Sequence, residues 1–510
     1  SGGGGGGVKL DSANIWTEAN DFTNGLTSSG AGTNSFRAGS LAGDNTQGDY
    51  GTAVGYRAGE FTQGINSVSV GIYSGNDTQG VNSVAIGSSA AQTTQSDNAI
   101  AIGRESGKTS QGASAVAIGP DAGKTTQGAS AVAIGNTAGQ TTQSAYGVAI
   151  GAGAGAITQG GLSVGIGFQA GLTTQGTLAV AIGSQAGQTN QSASSVAIGG
   201  GAGTTTQGAS SIAIGPNAGQ TTQDSSSVAI GNLAGQTDQL HDGIAIGKSA
   251  GNANQGINIG ALALLGRGGS IAIGTSAGED SQQSGGVAIG YNAGMTTQGL
   301  QCVAVGYQAG NTSQTLGAVA VGGASGAISQ GLYGVSVGYQ AGSTSQGDRA
   351  TAVGPNAAQT SQAQNAIAVG YKAGRTTQGI GSVAVGTLAG NNSQGDSAVA
   401  IGYGAGALTQ GQFTVAVGAT AGATSQGSSS VAVGALAGNS VQGVQSVAVG
   451  VQCGQTSQGL QSVAVGRNAG QTDQGTQSVA IGYFTGKTTQ GISCVAIGER
   501  AGESSQGASS

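Results

Sequence analysis

The residues of this 510-residue chain that most nearly imitate chemical machinery are its lysine-bearing glycine loops. Gly103-Arg-Glu-Ser-Gly-Lys-Thr109 has the composition of a phosphate cradle, and similar stretches surround Lys124 and Lys487. In such a cradle, backbone N–H groups hold the phosphates and the lysine supplies counter-charge. Here the spacer between the glycines is three residues where the loop requires four. Other copies of the stretch carry Gln, Ala or Met in place of the lysine. Nucleotide binding is therefore not expected. Glycine runs such as Gly151-Ala-Gly-Ala-Gly155 are by-products of repetition. His241 stands alone beside Asp242 and reads as a surface residue. Asp238 and Asp473 fall at one position of distant copies, so they cannot pair as acid and base. Calcium-binding rolls need an aspartate in every nonapeptide unit, and that pattern is absent. No catalytic residue, cofactor site or metal site is expected, and the chain reads as non-enzymatic.

Two other residue types recur at defined places. Cys302 and Cys494 replace the small residue before Val, and Cys453 replaces the Ala of an Ala-Gly pair. Their spacing suits neither zinc nor a redox pair. They read as small-residue substitutions, with symmetric cross-links between chains as the alternative. Tyr56, Tyr291, Tyr307, Tyr339, Tyr371, Tyr403 and Tyr483 each follow the glycine that ends a Val-Ala-Ile-Gly or Val-Ala-Val-Gly block or a one-residue variant of it. At a corner they either cover the turns and touch neighbouring chains or form a ridge that binds a glycan or receptor.

These residues hang on a repeat. The glycine of the Val-Ala-Ile-Gly block returns every 16 residues from Gly39 to Gly247 and again from Gly274 to Gly498, about 29 copies in all. Glycine totals 105 residues without a three-residue period, which excludes collagen. Charged residues are only 7% and the net charge is −6, which disfavours both a charge-swollen disordered chain and a basic nucleic-acid binder. No apolar run is long enough to span a membrane. A period of this size means a solenoid whose units bury surface only against their neighbours. Each unit reads as two short strands and two glycine turns, such as Ser130-Ala-Val-Ala-Ile134 and Gln140-Thr-Thr-Gln143. β-Branched residues and frequent glycine exclude helix. The fold expected is an all-β parallel solenoid, a β-roll of about 29 sixteen-residue turns.

Period-two alternation puts Val132 and Ile134 on one face and Ala131 and Ala133 on the other. The large aliphatic pair is expected inside. The Ala and Ser row is then expected to face outward and pack against copies of the same chain, most simply three around an axis. The Gln ending the second strand is present from copy to copy, as at Gln47, Gln143, Gln239, Gln346, Gln442 and Gln506. Stacked on itself it can form an amide ladder; the alternative is that each Gln caps its own turn.

The Ser-Val-Ala-Ile-Gly block at Ser130–Gly135, with Ala138-Gly-Gln-Thr-Thr-Gln143, resembles the head repeats of trimeric autotransporter adhesins and the fibre and spike proteins of large DNA viruses and phages. The resemblance covers about residues 35–510. It implies a parallel β-roll, a homotrimer joined through the first strand, and an extracellular rod that attaches to a host or surface. A virion surface is the first expectation and a cell surface the second. The adhesin unit usually has 14 residues where this one has 16, and no heptad stalk or membrane barrel is seen. Residues 1–34 comprise a glycine linker and a non-repeating segment, Val8 to Leu26, that holds the only Trp. That segment is similar to the attachment ends of viral fibres and is expected to cap the solenoid or anchor it to a virion or cell. Repeats occupy 35–256 and 274–510, separated by an irregular break at 257–273. The break is expected to bring a kink or shortened coil and to interrupt the polar ladder. The chain starts at Ser1 without a secretory signal, as in a trimmed product, and Ser510 stops within a copy, as in a fragment of a longer fibre. A structural fibre or spike is the function expected; a self-assembling extracellular filament or sheath, and an ice-binding solenoid, are the alternatives.

Overall fold

The computed structural model describes residues 32–252 and 269–510. Contacts divide the chain into two units, Ser1–Asp242 and Gly243–Ser510. The Val8–Leu26 segment and most of the 257–273 break lie outside the described residues.

One coil of the first unit shows how the sequence builds the rest. Val132–Ile134 is a β-branched triplet and forms a strand. The chain leaves it through Gly135 at φ 125°, a region open to glycine alone, and turns back through Thr137 and Gly139 at φ 56° and 53°. The strand Thr142–Gln143 follows, and Tyr146 at φ 62° closes the second corner before Val148. Each strand then pairs in parallel with its counterpart sixteen residues on: Val132, Ala133 and Ile134 against Val148, Ala149 and Ile150, and Gln143 against Gln159. The unit contains thirteen Val-type strands, Phe36–Ala38 to Val228–Ile230, and thirteen Gln-type strands, Thr46–Gln47 to Asp238–Gln239. The corners are laddered too, as where Thr137 N–H donates to Pro120 O and Gly139 N–H to Ala154 O.

The second unit repeats the design with sixteen Val-type strands, Ile244–Ile246 to Val495–Ile497. Ten Gln-type strands, Ser345–Gln346 to Thr489–Gln490, form one of its sheets, and Thr297–Gln298 pairs with Ser313–Gln314. Single pairings such as Gln314 with Gln330, and Gln330 with Gln346, continue the column. At the break, Ile244–Ile246 pairs directly with Ile271–Ile273 in the register used everywhere else. The Val-type sheet therefore runs through the 27-residue spacing unshifted. The described residues contain no helix, and the fold is an all-β parallel solenoid.

The expected assignment of faces is reversed. Ala131, Ala133 and Ala138 are fully buried, whereas Val132 and Ile134 are only half-buried on the outer surface. The largest fully buried side chains are the glutamines. The reason is the thinness of the coil. The Gln143 side chain crosses from its own strand to the carbonyl of Val132 at 2.8 Å, so the two sheets are one glutamine apart. Beside that amide there is room for a methyl group and not for a branched side chain. The residues flanking Val are small because they are inside, not because another chain packs on them. Hydroxyls admitted to the interior find partners, as where Ser336 Oγ donates to Gln346 Oε1 at 2.7 Å.

Candidate functional site

The solenoid offers three repetitive places where chemistry or recognition could occur: the glutamine interior, the Val/Ile face, and the corner that follows the Val strand.

In the interior, Gln143 Nε2 donates to Val132 O at 2.8 Å, to Gly147 O at 3.1 Å and to Gln159 Oε1 at 2.9 Å, while its own Oε1 accepts from Gln127 at 3.0 Å. Two N–H groups thus serve three acceptors, so one is shared. The ladder and the cap on the amide's own turn coexist in the same side chain. Gln47 bonds Phe36 O and Gly51 O. Gln239 accepts from Gln223 and donates to Val228 O. Gln346 reaches Val335 O, Ala350 O and Gln362 Oε1. Gln442 Nε2 donates to Val431 O at 2.7 Å, and its Oε1 is unpartnered. Gln506, half-buried, accepts from Gln490 and bonds Val495 O. The ladder is interrupted in stretches: Oε1 of Gln63, Gln79, Gln95, Gln394 and Gln410 also lack a partner.

The cysteines belong to this interior. All three are buried; Cys302 Sγ faces Thr315 O, Cys453 Sγ faces Ala464 O, and Cys494 Sγ faces Gly507 O. Burial pushes the Cys453 thiol up to about 12. Inward-facing thiols cannot cross-link chains, so that alternative is withdrawn.

The lysine loops are engaged electrostatically within the coil surface. Lys108 pairs with Glu105 at 3.1 Å, and Lys124 pairs with both Glu105 and Asp121. Arg104 meets Asp121 at 2.9 Å. Lys124 foremost, then Lys108, holds the Glu105 carboxyl down to about 2. Lys487 Nζ lies 4.4 Å from the Phe484 ring centroid. His241 Nδ1 is 2.9 Å from Asp242 Oδ1 on an exposed turn. Asp238 and Asp473 sit in different units. Among the described residues no group of three His, Cys, Asp or Glu could hold a metal ion, and no helix is long and apolar enough to cross a membrane.

All seven corner tyrosines, Tyr56, Tyr291, Tyr307, Tyr339, Tyr371, Tyr403 and Tyr483, are exposed. They do not converge on one pocket. Tyr56 makes an edge contact with Tyr73 beneath the Arg57 guanidinium, and Tyr483 packs on Phe484. Tyr291 and Tyr307 stack at 5.5 Å with planes 9° apart. Tyr73 and Phe484 were missed because they occupy the next position along the corner, a left-handed one at φ 56° in both. Aligning that second column of copies would have shown them. Also missed were the aspartates that tie one coil to the next, such as Asp97 Oδ1 accepting from Val81 N–H and Asp348 Oδ1 from Leu332 N–H.

No family model matches the chain, and no curated protein matches it.

Proposed function

We propose that the chain is a structural fibre or spike protein displayed outside a virion or cell, and that copies of it associate along the Val/Ile face. The single observation that carries the reading is that face. In the first unit every coil after Thr52–Val54 leaves two aliphatic side chains half-buried or exposed in one column, while the interior is closed mainly by Ala, Ser and Gln. A strip three residues wide on thirteen coils of the first unit covers roughly 600 Å² of one copy. Two copies paired along it bury about 1,200 Å², the lower bound of a stable specific interface. Apolar surface of that extent on a soluble chain marks an interaction site. Three copies around an axis bury the column from both sides. Register kept coil after coil suits a scaffold.

Native mass settles the association. Light scattering behind a sizing column is expected to give about three times 47.9 kDa. A mass of 47.9 kDa over the micromolar range overturns the proposal.

A further inference from the structure

In the second unit, Tyr307, Tyr339, Tyr371 and Tyr403 recur every second coil of one corner column, with Gly323, Pro355 and Thr387 in the coils between. The column is in register, because the Val-type strands of these coils pair residue for residue at sixteen-residue offsets. Its backbone is also tied: Ala324 N–H donates to Tyr307 O, Asn356 N–H to Tyr339 O, Leu388 N–H to Tyr371 O and Thr420 N–H to Tyr403 O, at 2.7–2.9 Å. The four residues are 59%, 59%, 44% and 60% exposed. Gly323 has a steric role. A Cβ on Gly323 would stand 3.4 Å from Tyr339 Cδ2, so that ring leans back over the preceding coil and leaves its outer side to solvent. Where no small residue intervenes, at Tyr291 and Tyr307, the rings stack on each other instead.

Aromatic platforms two coils apart stand about 9.6 Å from one another. An extended β-1,4-linked glucan turns the same C–H face of its pyranose rings outward at every second residue, a disaccharide repeat comparable with the two-coil rise. Its hydroxyls are equatorial, so the faces of its rings are apolar and meet the electron-rich face of a tyrosine while the hydroxyls stay in water. We propose that the Tyr339–Tyr403 column binds an extended β-1,4-linked glucan chain laid along the stack, one disaccharide to each tyrosine. Lys372 Nζ lies 4.8 Å from the Tyr371 centroid, so a sugar on that ring has to displace it, which its flexible stem allows. A net charge of −6 favours a neutral polysaccharide over an anionic one. The tyrosine ladder thus names a ligand class for the attachment reading above and rests on it.

The test is depletion of the full chain onto microcrystalline cellulose, with chitin and α-1,4-linked starch as comparators and native mass measured on the same samples. Cellulose is expected to retain the chain and starch to leave it in solution. The triple substitution Tyr339→Ala, Tyr371→Ala and Tyr403→Ala is expected to weaken retention at least tenfold with the circular dichroism unchanged. Deleting one coil, 355–370, places Tyr371 directly after Tyr339 and is expected to weaken retention with every tyrosine of the ladder still present. Retention by chitin alone, no retention on cellulose, or retention indifferent to both variants overturns the glucan proposal. A multi-copy particle that ignores cellulose overturns that proposal alone; a 47.9 kDa monomer that ignores it overturns the self-associating fibre as well.

Discussion

A glutamine amide placed inside a β-solenoid costs about 1–3 kcal/mol for each buried donor or acceptor left alone, a cost that some coils of the ladder bear at Oε1 and others avoid. Gln143 avoids it through three acceptors and one donor, two of them glutamines of adjacent coils. Replacing Gln143 by Glu keeps an acceptor for Gln127 but removes the N–H groups that serve Val132 O, Gly147 O and Gln159 Oε1. It also buries a carboxylate, which raises that group's folded-state pKa above its unfolded value. Such a group withdraws stability at high pH and returns it as pH falls, because the neutral acid can donate to Val132 O again. Gln143→Glu is expected to lower local stability by about 3–5 kcal/mol at pH 7. Part of the loss is expected to recover on acidification toward the range where the buried carboxyl protonates. Amide hydrogen exchange across 132–148 reads the effect where it occurs, since a solenoid opens locally. Protection that is equal at pH 7 in the parent and the variant refutes the role assigned to the amide.

At the scale of the coil, two glycines with different obligations set the corners. A Cβ on Gly135 would meet the carbonyl carbon and oxygen of Gly151 at 2.8 Å, and at φ 125° no other residue is at ease. At Gly139 the nearest atoms belong to the tip of Gln143, and φ is 53°. Two copies carry alanine at the Gly139 position, Ala91 and Ala358, at φ 48° and 45°. Gly135→Ala is accordingly expected to cost about 3–5 kcal/mol and Gly139→Ala about 1–2 kcal/mol, compared by urea unfolding of each variant. Equal costs would mean that the stacked carbonyl is not the constraint. The corners, the sixteen-residue period and the Gln column were legible in the sequence because each repeats at a fixed position. The direction of the Val strand was not. Alternation places Val132 and Ala133 on opposite faces without saying which face is inside, and apolar volume suggested the wrong one. What decides it is the width of the interior, set by a glutamine on the opposite strand, and no local pattern reports that distance. The tyrosine corner was legible as a column, but its alternation with smaller residues acquires meaning only once the Tyr339 ring is seen to lie over Gly323 of the coil before it.

For the molecule as a whole, the inverted faces separate what holds a coil together from what joins copies, and one pair of substitutions tells them apart. Ala133 and Ile134 are neighbours in one strand, the first fully buried and the second half-exposed. Ala133→Leu forces a branched side chain against the amide of Gln143 and is expected to cost at least about 1–3 kcal/mol, with protection lost in the surrounding coils. The set Ile118→Glu, Ile134→Glu and Ile150→Glu leaves the interior untouched and places three carboxylates in successive coils of the apolar column. Like charges at strand spacing repel within one copy by a modest amount in water. Brought into a shared apolar interface they must be desolvated without partners, which is far more costly. The expected result is a chain that keeps its β circular dichroism and falls to 47.9 kDa by light scattering. Had the Ala face been the interface, the two outcomes would be exchanged: Ala133→Leu would dissociate folded copies, and the glutamates would unfold the coil. Dissociation by the glutamates with the coil intact is therefore a signature that only the observed orientation of the strand can produce.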